Sequence, residues 1–169
     1  KQPPLEGGCF VLQYKYYMTS MALIFFFVLG AVIGSFLNVV ILRYNTGRAV
    51  SGRSACASCG KKLLWHELIP IVSFIILRGR CRTCKSAISV QYPIVETLTA
   101  VIFSFIGCMF LSEPVTFMHI LFASYQAVIW SLLIVISAYD MRHKIIPSGP
   151  VYAFIGLSTL SLFGFPDTW

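Results

Sequence analysis

MALIFFFVLGAVIGSFLNVVIL, residues 21–42, decides the fold. It carries no charged side chain. A helix of this length, rising about 1.5 Å per residue, crosses a hydrocarbon core of about 30 Å. Gly30 and Gly34 stand four apart, so both bare backbones lie on one face. That face suits close packing against another helix. Ser35 and Asn38 are the hydrogen-bonding side chains inside the run. Asn38, near its C-terminal end, reads as packing glue or as support for a site at that end.

Working outward, three more apolar stretches follow: about Tyr92 to Leu111, about Phe117 to Tyr139, and Ile145 to about Phe163. Ser112-Glu113-Pro114 makes a short turn without Lys or Arg. Gly164-Phe165-Pro166-Asp167 closes the last stretch. No internal repeat is visible. The expected fold is an all-α polytopic membrane protein with about four transmembrane helices. Composition agrees. The 169 residues are 57% hydrophobic and 11% charged, against roughly 25% charged in soluble domains.

The net charge is +7, and its distribution excludes nucleic acid as the partner. Nine basic residues lie between the first and second stretches: Arg43, Arg48, Arg53, Lys61, Lys62, Arg78, Arg80, Arg82 and Lys85. A basic loop beside membrane spans is the positive-inside pattern. It places this loop in the cytoplasm, together with the Arg142-His143-Lys144 turn, and the first span's N-terminus outside. Lys1 to Tyr17 is polar and aromatic without clear period. It is read as a segment upstream of a start at Met18 or Met21.

The basic loop contains Cys56-x2-Cys59 and Cys81-x2-Cys84. Two such pairs can give four thiolates to one tetrahedral Zn²⁺, the set of a structural site with no open coordination position. A reducing compartment favours metal over disulfide. A redox dithiol fits the doubled spacing less well. Between the pairs, Leu68 to Leu77 is apolar but too short to cross. It reads as a hairpin or helix in the membrane interface, with Trp65 at headgroup level. Cys9 and Cys108 receive no role. Asp140 ends the third stretch. A carboxylate there is either a boundary residue or a functional group facing protein or water.

Several motifs in order now carry a resemblance. Gly34-Ser35-Phe36-Leu37-Asn38-Val39-Val40 is followed by the first cysteine pair and by Glu67-Leu68-Ile69-Pro70. Leu77-Arg78-Gly79-Arg80 leads into the second pair. Ile88-Ser89-Val90-Gln91-Tyr92-Pro93-Ile94-Val95-Glu96 and Asp140 with Lys144-Ile145-Ile146-Pro147 complete the set. Together they resemble the type IV prepilin peptidases.

The resemblance implies a multi-pass aspartic endopeptidase of the cytoplasmic membrane. Such enzymes remove the basic leader of prepilins and pseudopilins at the cytoplasmic face. Many also methylate the new N-terminus with S-adenosylmethionine. It implies that Asp140 is the first catalytic aspartate, that Cys56, Cys59, Cys81 and Cys84 hold structural Zn²⁺, and that Asn38, Glu67 and Glu96 support the pocket. Two carboxylates sharing a proton, one as base and one as acid, would do the chemistry. The second family aspartate lies in a Gly-x-Gly-Asp motif, which these residues do not contain. Asp167 does not replace it, since a helix from Ser148 would carry it to the opposite face.

Ser148 also departs from the Asp or Asn often found after the family's proline. The implied organisation is an N-terminal segment 1–20, a first helix with zinc loop 21–91, and a partial peptidase domain 92–169. The chain by itself is then expected to be inactive. The competing reading is a non-catalytic membrane scaffold with the same structural zinc loop. The sequence does not fix the oligomeric state.

Overall fold

The computed structural model describes the backbone of residues 6–47, 52–111 and 116–164. The turn Ser112-Glu113-Pro114, Arg48 and Asp167 lie outside these residues. Among the described residues five α-helices follow one another: α1 (Glu6–Arg43), α2 (Val72–Ile76), α3 (Gln91–Leu111), α4 (Phe117–His143) and α5 (Ser148–Gly164). Three of them are long and apolar enough to cross a membrane, over Ser20–Arg43, Gln91–Met109 and Phe117–His143. α5 is apolar and 17 residues long. Two boundaries differ from the sequence reading. α1 begins at Glu6, upstream of the apolar run. α4 continues past Tyr139, so Asp140 lies inside its last turn.

α1 and α3 pack along their length as an antiparallel pair. A Cβ on Gly30 would lie 2.7 Å from the Ala100 Cα, and one on Gly34 would lie 2.8 Å from the Glu96 Cα. Asn38 reaches the Tyr92 carbonyl. As numbers rise along α1, partners fall along α3. The two glycines therefore let the backbones meet, because any side chain would push the helices apart. Gly107 continues the seam, packed on the Phe26 ring. Outward-facing Phe25, Val32 and Phe105 stay more than half exposed, as side chains turned to lipid should.

The buried core lies toward the C-terminal end of α1. Leu37 and Ile41 meet Val95 of α3 and Ile134, Val135, Ala138 and Tyr139 of α4. Arg142 donates to the Gln91 side-chain oxygen at 3.2 Å, joining the end of α4 to the start of α3. Tyr125 donates to the Leu157 carbonyl, joining α4 to α5. One end of the bundle thus gathers the end of α1, the start of α3, the end of α4 and the start of α5. The segment 44–90 is tethered at both its ends to that same place.

Candidate metal centre and bundle-end site

The two cysteine pairs are built by one backbone plan used twice. Cys56 N–H donates to the Lys61 carbonyl and Gly60 N–H to the Cys56 carbonyl. Leu63 N–H donates to the Ser54 carbonyl. Cys81 to Ser86, Lys85 to Cys81 and Ile88 to Gly79 repeat this pattern exchange for exchange. Antiparallel bridges Ala55–Lys62 and Arg80–Ala87 close both knuckles. This is an internal repeat, which the sequence reading did not see. The residue after each pair must turn with positive φ. Gly60 does so at 70° and Lys85 at 59°.

The knuckles face each other. The four Sγ atoms all lie within 4.8 Å of one another. Cys56 Sγ and Cys84 Sγ stand 3.8 Å apart, and the cysteines are free thiols. Zinc–sulfur bonds of about 2.3 Å make a tetrahedron with edges of about 3.8 Å. The donor set therefore fits a tetrahedral soft cation.

Electrostatics within the tetrad fits too. The backbone N–H groups of Cys59 and Ser58, with the Ser86 hydroxyl, lower the Cys56 thiol to about 6. The hydroxyl and backbone of Ser86 lower Cys84. For Cys59 the Lys61 N–H favours the thiolate, yet desolvation, bonds to Cys56 and Cys84, and the charge on Cys56 raise it to about 11. Cys56 and Cys84 thus ionise more readily, while the charge on Cys56 resists ionisation of Cys59. A bound dication removes that resistance.

Between the knuckles, a 3-10 turn spans Trp65–Leu68. Glu67 is used locally there, its carboxylate accepting the Leu64 N–H at 2.9 Å. His66 meets Arg82 of the second knuckle at 3.2 Å, tying the turn to the tetrad.

Glu96 has a longer reach. It is buried in the first turns of α3, and its Oε2 accepts the Ile71 N–H at 2.7 Å. Ile71 has φ 62° and ψ −52°, the centre of a rare, strained γ-turn. Asn38 is 2% exposed, and its Nδ2 donates to the Tyr92 carbonyl at 3.1 Å. Among the described residues its Oδ1 has no partner. Asn38 and Glu96 thus fasten the insert and its exit to the α1–α3 seam, whereas Glu67 stays within the insert.

Asp140 is exposed in the last turn of α4. Its carbonyl accepts the N–H of Lys144, which caps the helix with positive φ. A carboxylate at a helix C-terminus opposes the helix dipole, while Arg142 and His143 complement it. Helix stability therefore does not account for Asp140.

The sequence reading missed its surroundings. Tyr139 stacks on His143 at 4.4 Å and meets the Tyr44 ring edge-on at 5.6 Å. The Tyr44 hydroxyl accepts the Gly149 N–H at 3.2 Å, serving a free donor at the start of α5. The i, i+4 spacing of Tyr139 and His143 was the available signal. A cavity of about 480 Å³ runs between α3 and α4, lined by Leu98, Ile102, Trp130 and Ile134 and bounded by Gln91 and Arg142.

Fold and site together define a polytopic, helical, membrane-type protein with a four-cysteine insert after its first helix and a carboxylate at the same end. Comparison with known proteins gives the family. Residues 28–110 match the bacterial peptidase A24 N-terminal domain, and the chain belongs to the prepilin peptidase family. It is 49% identical to a prepilin leader peptidase/N-methyltransferase of Myxococcus xanthus over 88 residues, 52% of this chain and 26% of the relative. The Bacillus subtilis protein of that name is 31% identical over 145 residues, 85% of this chain and 56% of the relative. The Klebsiella pneumoniae one is 30% identical over 147 residues, 83% and 60% respectively. The chain thus spans between about a quarter and three-fifths of the length of these relatives. No solved structure matches it significantly.

Proposed function

We propose that these residues form part of a membrane aspartic endopeptidase that removes the leader of type IV prepilins or pseudopilins at the cytoplasmic face. The observation that carries this reading is the shared end of the bundle. Helix packing brings Asp140, at the end of α4, to the same end as the cysteine insert and the start of α3. A leader arriving from the cytoplasm would meet all three there.

Asp140 supplies one of the two carboxylates that aspartyl chemistry requires. One activates water and the other protonates the leaving amine. Among the described residues no second carboxylate is hydrogen-bonded to it. Glu96 is committed to the Ile71 N–H and Glu67 to the Leu64 N–H. By this reading the 169 residues do not cleave prepilin by themselves.

Cys56, Cys59, Cys81 and Cys84 would hold Zn²⁺ structurally. All four donors are cysteine sulfurs, so no coordination position is left for substrate. The metal would supply folding energy to an insert with little core. Methylation with S-adenosylmethionine is supported by the relatives' names alone, and no described cleft is assigned to it.

The test is leader removal from a basic-leader prepilin in liposomes, using the complete natural protein. Asp140→Ala is expected to abolish cleavage with bound zinc unchanged. Retained cleavage by the variant would remove Asp140 from the mechanism, and no cleavage by the unaltered protein would favour the scaffold reading.

A further inference from the structure

The face that the insert turns outward is apolar, and it sits at a defined depth. Trp65 is 77% exposed, Ile75 67% and Ile76 74%, with Val72 and Leu68 beside them. Such a row is costly in water, and isolated exposed side chains would not form it. Phe74 is used differently, packing on Gly79 at the base of the second knuckle.

The Glu96–Ile71 bond fixes where this face lies. Glu96 is the sixth residue of α3. At about 1.5 Å per residue, its partner Ile71 sits about 7 Å inside the start of that helix. Interfacial amphipathic segments bury to about 5–10 Å in the headgroup–acyl boundary. The surrounding charge is one-sided. Between residues 52 and 90 seven Lys and Arg side chains face a single carboxylate, Glu67, and all seven are exposed.

We propose that the segment 64–76 is a docking surface for anionic phospholipid. Trp65, Val72, Ile75 and Ile76 enter the headgroup–acyl boundary. The basic side chains of the knuckles contact the lipid phosphates. The occupant is the bilayer itself, because α1 and α3 beside it are spans of the same membrane and the charge is complementary to an acidic leaflet. The insert is then held at two points, by Glu96 from within the bundle and by lipid from outside. This holds whether or not the chain takes part in leader cleavage.

Trp65 reports on it directly. Trp130→Phe and Trp169→Phe leave Trp65 as the sole tryptophan. The protein is placed in nanodiscs of phosphatidylglycerol or phosphatidylcholine, brominated at shallow or deep acyl positions. In phosphatidylglycerol the shallow bromines are expected to lower Trp65 emission by about twofold, with a smaller effect in phosphatidylcholine. Ile75→Glu with Ile76→Glu should abolish the quenching while cysteine-bound zinc stays stoichiometric. Unquenched emission with zinc bound would overturn the proposal, water-like if solvent covers this face and blue-shifted if protein does. Equal quenching in both lipids would overturn the anionic preference.

Discussion

The carboxylate of Glu96 on α3 holds the backbone N–H of Ile71, 25 residues earlier in the chain, at 2.7 Å. This bond connects a buried membrane-helix side chain to the middle of a polar insert. It also stabilises a turn that an isoleucine adopts only under strain, at a cost of about 1–3 kcal/mol. Removing the carboxylate with Glu96→Ala strands the Ile71 N–H, a loss of about 1–3 kcal/mol. The amides of Ile71 to Ile76 should then exchange with deuterium faster, while zinc remains bound. Unchanged exchange there would show that Glu96 does not hold the turn.

Gly30 and Gly34 set the distance between α1 and α3. Gly34→Ala places a methyl 2.8 Å from the Glu96 Cα and 3.0 Å from the Thr99 hydroxyl. Backbone cannot yield as a flexible side chain can. The expected cost is about 1–3 kcal/mol for overpacking, read as a lower unfolding midpoint in detergent. Ala at Gly156, where a Cβ would meet nothing within 4 Å, is the control and should be nearly silent.

Lys85 takes the left-handed turn that Gly60 takes in the first knuckle. A lysine pays about 1 kcal/mol or more for that conformation and glycine does not. Lys85→Gly should slow zinc loss to a chelator, and Gly60→Lys should speed it. The opposite order would mean that the two knuckles are not equivalent in solution.

Metal retention should depend on pH with a definite sign. Metal needs thiolates, so protons compete with it at every sulfur. Hydrogen bonds already favour the thiolate at Cys56, whose thiol lies at about 6 before metal binds, and bound metal holds the thiolates against protonation below that value. Zinc is therefore retained at pH 8 and released on acidification. Equilibrium dialysis against a chelator from pH 8 downward should show occupancy falling with pH, and retention that does not change with pH would contradict thiolate ligation.

Much of this was legible in the sequence, for definite reasons. Apolar runs reveal spans because lipid demands them. Gly30 and Gly34 reveal a seam because only bare backbone allows that approach. The cysteine pairs reveal a candidate metal centre through their spacing, and the four sulfurs do come together. The doubled knuckle was not legible, because the repeat lies in backbone hydrogen bonds. Its side chains, Gly60 against Lys85 for instance, disagree. Nor was the Glu96–Ile71 bond legible, since a backbone N–H leaves no mark on residue identity. The same holds for Tyr44, whose partner at Gly149 is 105 positions away.

The shared end of the bundle can be tested by sidedness. In a Cys9→Ser, Cys108→Ser background, single cysteines replace Asp140 or Arg82. Each variant is exposed to a membrane-impermeant maleimide in inside-out and in right-side-out vesicles, with the metal-bound tetrad protected. The packing of α1, α3 and α4 predicts that both positions label from one and the same face, and the basic loop predicts that this is the face exposed in inside-out vesicles. Labelling of positions 140 and 82 from opposite faces would contradict the arrangement on which the peptidase reading rests.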